Sequence, residues 1–105
     1  MTTKRKTRSD RNHAIYQITN EVTGDFYIGV TVASGSVVKC LKVRVQKHVR
    51  RALTENKDWA LCVALREYGP ENFTYHLLEK VRGKREAHTR ERELTKELNP
   101  SLNTL

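Results

Sequence analysis

The chain has 105 residues, 37% hydrophobic and 30% charged, with 20 Lys+Arg against 12 Asp+Glu for a net charge of +8. That length points to one domain around one small core, and no apolar run approaches the roughly 20 residues needed to span a bilayer. The basic excess points to a polyanionic partner, nucleic acid first.

Residues 1–12 carry Lys4, Arg5, Lys6, Arg8 and Arg11 against Asp10, a net +4 with almost nothing apolar. Such a stretch cannot bury enough surface to offset its ordering entropy, which predicts a disordered arm able to neutralise phosphates. It lacks the apolar run of a signal peptide, so export is not expected. The two cysteines, Cys40 and Cys62, are too few for a disulfide scaffold and fit a reducing, cytoplasmic setting as small helix-packing residues.

The folded domain is expected over residues 13–105. AIYQI at 14–18 and DFYIGV at 25–30 are rich in aromatic and β-branched residues, and the intervening NEVTG is turn-forming. They read as a β-hairpin. Alternation puts Tyr27 and Gly29 on the face opposite Phe26, Ile28 and Val30, and Gly29 leaves room for a ligand or another backbone to come close.

From about Lys39 to Leu53, the apolar residues Leu41, Val45, Val49 and Leu53 recur every fourth position, which predicts an amphipathic helix. The same stretch holds Lys39, Lys42, Arg44, Lys47, Arg50 and Arg51 with no acid, a net +6 that leaves the remainder of the chain slightly acidic. Arg44 and His48 stand at i and i+4, so they share a face and can converge on one anion. WALCVAL, within residues 58–67, reads as a short buried helix with Asp58 as N-cap and Gly69-Pro70 as its stop.

NFTYHLLEK at 72–80 is expected to form a third strand, with Phe73, Tyr75 and Leu77 on one face and His76 and Leu78 on the other. After Gly83 a last helix runs to Leu98 and ends at Asn99-Pro100. Its inward stripe is Ala87, Leu94 and Leu98, and Glu91 falls on that stripe. A carboxylate there needs a metal ion, a positive partner or a route to solvent. The element order β-β-α-α-β-α predicts a small α+β domain with helices flanking a three-stranded, mainly antiparallel sheet. The four histidines are scattered and the cysteines lack a CxxC-type spacing, so no zinc site is expected.

Five landmarks in order resemble the GIY-YIG nuclease family. Ala14-Ile15-Tyr16 stands where the family has GIY, with alanine for the first glycine, and Tyr27-Ile28-Gly29 is an intact YIG. Arg44 with His48 is similar to the family's helical arginine and the histidine one turn on, with Arg50 and Arg51 as the alternative arginines. Glu91 is similar to its metal-binding glutamate, and Leu98-Asn99-Pro100-Ser101-Leu102-Asn103 to its closing segment. The stretch between Gly29 and Arg44 is longer than in compact members, which suggests an insertion over residues 31–43 offering a further DNA contact.

The resemblance implies a DNA endonuclease that hydrolyses phosphodiesters with one divalent ion, Mg²⁺ or Mn²⁺, held by Glu91. Arg44 would stabilise the transition state, and a tyrosine, Tyr16 before Tyr27, would orient or deprotonate the attacking water. Tyr27 and His48 would bind phosphate or relay the proton, and Asn103 would support the site. Gly29, Lys39, Lys42, Lys47, Arg50 and Arg51 complete the expected binding surface, with double-stranded or branched DNA as substrate. Targeting would rest on DNA structure or on a partner protein. The rival expectation is a non-catalytic nucleic-acid-binding protein that kept the fold.

Overall fold

The computed structural model describes residues 11–33, 35–55 and 59–103; the predicted arm lies outside these residues up to position 10. The hairpin forms as β1 (Asn12–Asn20) and β2 (Phe26–Val32). The turn follows from its residues: Asn20 Oδ1 accepts from Val22 N–H at 2.9 Å, and Gly24 takes φ +83° while its N–H donates to Asn20 O. An asparagine that imitates a backbone turn followed by a glycine in left-handed space closes the loop without strain. β1 begins at Asn12, inside the segment predicted as arm, because Arg11 O accepts from Gly83 N–H and tethers that end.

Helix α1 (Val37–Thr54) starts two residues earlier than its apolar pattern suggests, since Ser36 Oγ accepts from Lys39 N–H and caps it. Its buried stripe is Leu41, His48 and Ala52, whereas Leu53 is exposed. Four-residue steps advance the helix by about 400°, so three of them carry Leu53 off the face that Leu41 defines and bring Ala52 onto it. The supposed insertion is absorbed by β2, which extends to Val32, and by the first turns of α1.

Helix α2 (Ala60–Tyr68) buries Leu61, Cys62, Ala64 and Leu65. Its N-cap is Trp59; the predicted cap Asp58 lies outside the described residues. Gly69, at φ +86°, ends it, and a 3₁₀ turn at Pro70–Asn72 leads into β3 (Phe73–Arg82). Helix α3 (Lys84–Leu98) finishes at Asn99 in left-handed conformation, φ 51°.

The sheet is antiparallel throughout, in the order β2-β1-β3. Ala14, Tyr16 and Ile18 point into a core shared with Leu41, Ala52, Leu61 and Leu65 of α1 and α2. The opposite face buries Ile15 and Ile28, and α3 covers it with Ala87 fully buried. The strict alternation expected of β3 breaks at Leu78. Tyr16 pairs with Leu77 and Ile15 with Glu79, so Leu78 is the extra residue of a bulge, and Glu79 is brought to the α3 face. There Arg90 binds Glu79 at 2.9 Å and Glu93 at 3.1 Å, tying α3 to the strand. Leu98, expected to face inward, is instead 42% exposed, because the chain leaves the sheet there.

Beyond α3 the chain returns along the free edge of β2. Leu102 N–H donates to Phe26 O, and the Asn103 side chain takes both backbone groups of Ile28, accepting from its N–H and donating to its O, each at 2.9 Å. Among the described residues no helix is long and apolar enough to cross a membrane.

Leu65 is 2% exposed and packs between α1 and the sheet. Leu65→Ala is expected to lower stability by about 2–5 kcal/mol, read from a urea or guanidinium denaturation curve.

Candidate active site

An open cleft of about 570 Å³ runs around the β2 edge, lined by Tyr27, Gly29, Arg44, His48, Arg51, Trp59, Leu61, His88, Glu91 and Asn103, among others. Each element delivers its part for a local reason. The β2 alternation turns Tyr27 and Gly29 toward α1, the i and i+4 spacing of α1 puts Arg44 beside His48, and α3 brings Glu91 from the other side of the sheet. Asn103 holds Ile28 between Tyr27 and Gly29 by its paired backbone bonds.

Tyr16 lies beneath this cleft. It is fully buried, and its hydroxyl receives Arg44 Nε–H at 3.3 Å and bonds His48 Nε2 at 2.9 Å. The imidazole donates or accepts there according to its tautomer. The three rings cluster: Tyr27 meets His48 edge-on at 5.2 Å between centroids, and Tyr16 stands 6.2 Å from Tyr27 and 6.1 Å from His48. Tyr16, the tyrosine expected first to meet the attacking water, is thus buried beneath the cleft, and Tyr27 is the one that lines it.

Gly29 is the reason Tyr16 fits. Tyr16 pairs with Gly29 across the hairpin, and a methyl group at Gly29 would stand 2.6 Å from the Tyr16 hydroxyl and 2.7 Å from Tyr27 Cε1. The close approach expected at this glycine is made by two side chains of the same hairpin, not by a ligand or a foreign backbone.

The electrostatics follow from burial. Burial first, and then the charge of Tyr27, push the Tyr16 phenol up despite the neighbouring Arg44. Burial likewise raises Tyr27, against the pull of Arg44 and Arg51. Burial, with Arg44 and Arg51 adding repulsion, lowers the His48 imidazole to about 4. His48 is thus neutral near pH 7, below the near-neutral titration expected of it, and of the pair Arg44 carries the charge.

Glu91 is partly buried, its side chain 21% exposed, and its ion-pair neighbour among the described residues is His88, with Nδ1 4.0 Å from Oε2. No group of three or more metal-ligating side chains occurs among the described residues. A single hard carboxylate on an open cleft still suits Mg²⁺, which keeps several waters and takes further oxygens from a phosphate.

Of the other expected contacts, Lys39 and Lys47 line an adjoining groove of about 350 Å³ with Thr31, Val32, Cys40 and Val43, next to Arg44. Arg50 and Arg51 line a third depression with Lys47. Lys42 does not line the cleft: two residues from Arg44, it sits about 200° around α1. Trp59, Leu61 and His88 also line the cleft and were not anticipated. The apolar run WALCVAL predicts only a buried helix for Trp59 and Leu61, although the one tryptophan of the chain beside a basic helix is a usable signal. His88 stands one helical turn before Glu91, a spacing that was equally visible.

The fold matches solved structures. The catalytic domain of the homing endonuclease I-TevI superposes with a TM-score of 0.64 at 26% identity, over 87% of this chain and 92% of that one. A glutamate-to-alanine variant of that domain, described as an intron endonuclease, gives 0.69 at 22% identity over 88% and 89%. The chain has the GIY-YIG nuclease fold. Comparison with family models and with curated proteins finds no match for the sequence. Alanine at position 14 does not disturb the strand: Ala14 is fully buried and regularly paired with Thr31 and Lys80.

Two outcomes follow. Gly29→Ala is expected to lower stability by about 1–3 kcal/mol, because the hydroxyl of a ring already packed on all sides has to move; denaturant titration reads this. His48 has a folded-state pKa below its unfolded value of about 6.5, so the unfolded chain binds the extra proton first as pH falls. Stability is expected to drop by about 3 kcal/mol between pH 6.5 and 4 on this account. His48→Gln, less stable at pH 7, should lose that component of the slope in denaturation curves taken across the same pH range.

Proposed function

We propose that this domain is a divalent-metal-dependent DNA endonuclease that hydrolyses phosphodiester bonds in the Glu91 cleft. The observation that carries the reading is the meeting of Glu91 from α3 and Arg44 from α1 around one strand edge, with Tyr27 beside them. The likeness to the catalytic domain of a homing endonuclease supports it.

Glu91 would hold the ion, with water and phosphate oxygens completing its shell. When bound, such an ion polarises phosphoryl oxygen and eases departure of the leaving oxygen. Arg44 spends its Nε–H on Tyr16, which fixes the guanidinium plane and keeps the two terminal nitrogens as paired donors for the charge that builds on phosphorus-bound oxygen. Tyr27, un-ionised at neutral pH, accepts a hydrogen bond from the attacking water at Oη and aligns it. His48 and Tyr16 position Tyr27 and Arg44 from below. The grooves that hold Lys39, Lys47 and Arg50 continue from the cleft along α1 and suit the phosphates flanking the cut.

The test is incubation of supercoiled plasmid and of branched DNA with Mg²⁺, Mn²⁺ or chelator. Cleavage should require the divalent ion. Glu91→Gln should abolish it while retaining DNA binding in a gel shift, and Arg44→Ala should slow it by about 10²–10³-fold. DNA binding with no cleavage under any divalent ion would overturn the enzyme reading in favour of a binding protein that kept the fold.

A further inference from the structure

The cleft brings two kinds of group together: charged and polar ones, Arg44, Glu91 and Asn103, and apolar ones, Trp59, Leu61 and Val30. Leu61 is 3% exposed and so belongs to the core, but Trp59 leaves 43% of its surface open. A tryptophan has more to gain from burial than other side chains, and one left this open at the lip of a cleft is placed to cover something else. The Arg51 guanidinium sits 5.8 Å from the centre of its ring, which adds positive charge at the ring's edge of the cleft. The backbone under it is anchored, since Trp59 O accepts Val63 N–H at 2.9 Å in the first turn of α2.

We propose that Trp59 is a stacking platform for an unpaired base next to the scissile phosphate, giving the domain a preference for DNA that is bulged or overhanging at the cut. The inference rests on the nuclease reading above. A phosphate held by Arg44 and Glu91 leaves its own nucleoside beside Trp59 in the same cleft, and aromatic faces accept any base without reading its sequence. Bases inside a duplex have their faces covered by their neighbours, so an unpaired base presents one to Trp59 without the cost of unstacking a pair. Arg51 already lies over one face of the ring, so the base would take the other face, with the guanidinium near the adjacent phosphate.

Trp59 is the only tryptophan in the chain, so its emission reports on this position alone. The experiment is titration, with chelator present to prevent cleavage, of a duplex carrying one bulged base against a fully paired duplex of equal charge. Tryptophan emission should be quenched strongly by the bulged duplex and weakly by the paired one. In a companion titration 2-aminopurine placed at the bulge should be quenched by the wild-type domain and by Trp59→Phe, but not by Trp59→Ala. The ratio of affinities, bulged over paired, should fall by about 5- to 150-fold in Trp59→Ala and much less in Trp59→Phe. Equal quenching by both duplexes, or an unchanged affinity ratio in Trp59→Ala, would overturn the stacking role while leaving the nuclease reading intact. Failure to bind either duplex would overturn both. Trp59→Phe preserves an aromatic ring, and its circular dichroism against that of Trp59→Ala separates a stacking loss from a folding loss.

Discussion

A single buried phenol organises the molecule. The Tyr16 hydroxyl sits in the middle of the sheet-to-helix interface, where an unsatisfied polar group would cost about 1–3 kcal/mol. Arg44 and His48 satisfy it, and in doing so they fix the rotation of α1 over the hairpin. The bond from Arg44 Nε also stops a long, flexible cation from sampling solvent and leaves its terminal nitrogens in a set plane. The same burial keeps His48 uncharged, so the positive charge beside it in the cleft comes from arginine rather than from a titrating group.

That joint depends on the absence of a side chain at Gly29. The strand pairing places Tyr16 opposite Gly29, and the ring end of Tyr16 and the edge of Tyr27 occupy the volume that a Cβ would fill. A sheet position that would weaken the strand thus becomes the socket for two aromatic rings. The intact YIG triplet is explained the same way: tyrosine toward the cleft, isoleucine into the α3 face, glycine to admit the partner tyrosine.

The edge of β2 is the second constraint. An exposed edge strand is open to pairing with other chains, and here Leu102 and Asn103 cover part of it from within. By following that edge, the returning chain stiffens the strand at the point where the cleft crosses from one face of the sheet to the other. Groups from helices on opposite faces can meet only around an edge, which is why the carboxylate of α3 and the guanidinium of α1 share a cleft around β2 and not across the central β1.

Periodicity and turn chemistry, both local, sufficed for the element order, the hairpin, the stops at Gly69 and Asn99 and the placing of Glu91 on a partly buried face. They also put Arg44 and His48 one turn apart, because helical geometry relates nearby residues without reference to the remaining chain. Which tyrosine faces the cleft, the neutrality of His48, the bulge at Leu78 and the cleft position of Trp59 were decided by tertiary structure. Each depends on what packs against the residue, and strands and helices far apart in sequence supply those neighbours. Net charge followed the same division: composition determined that the chain is basic, and only the fold decided that Arg44 and Arg51 line one cleft with Glu91 while Lys42 does not. Helical phase sets an angle about an axis, but packing of that helix against the sheet decides which angle looks into the cleft.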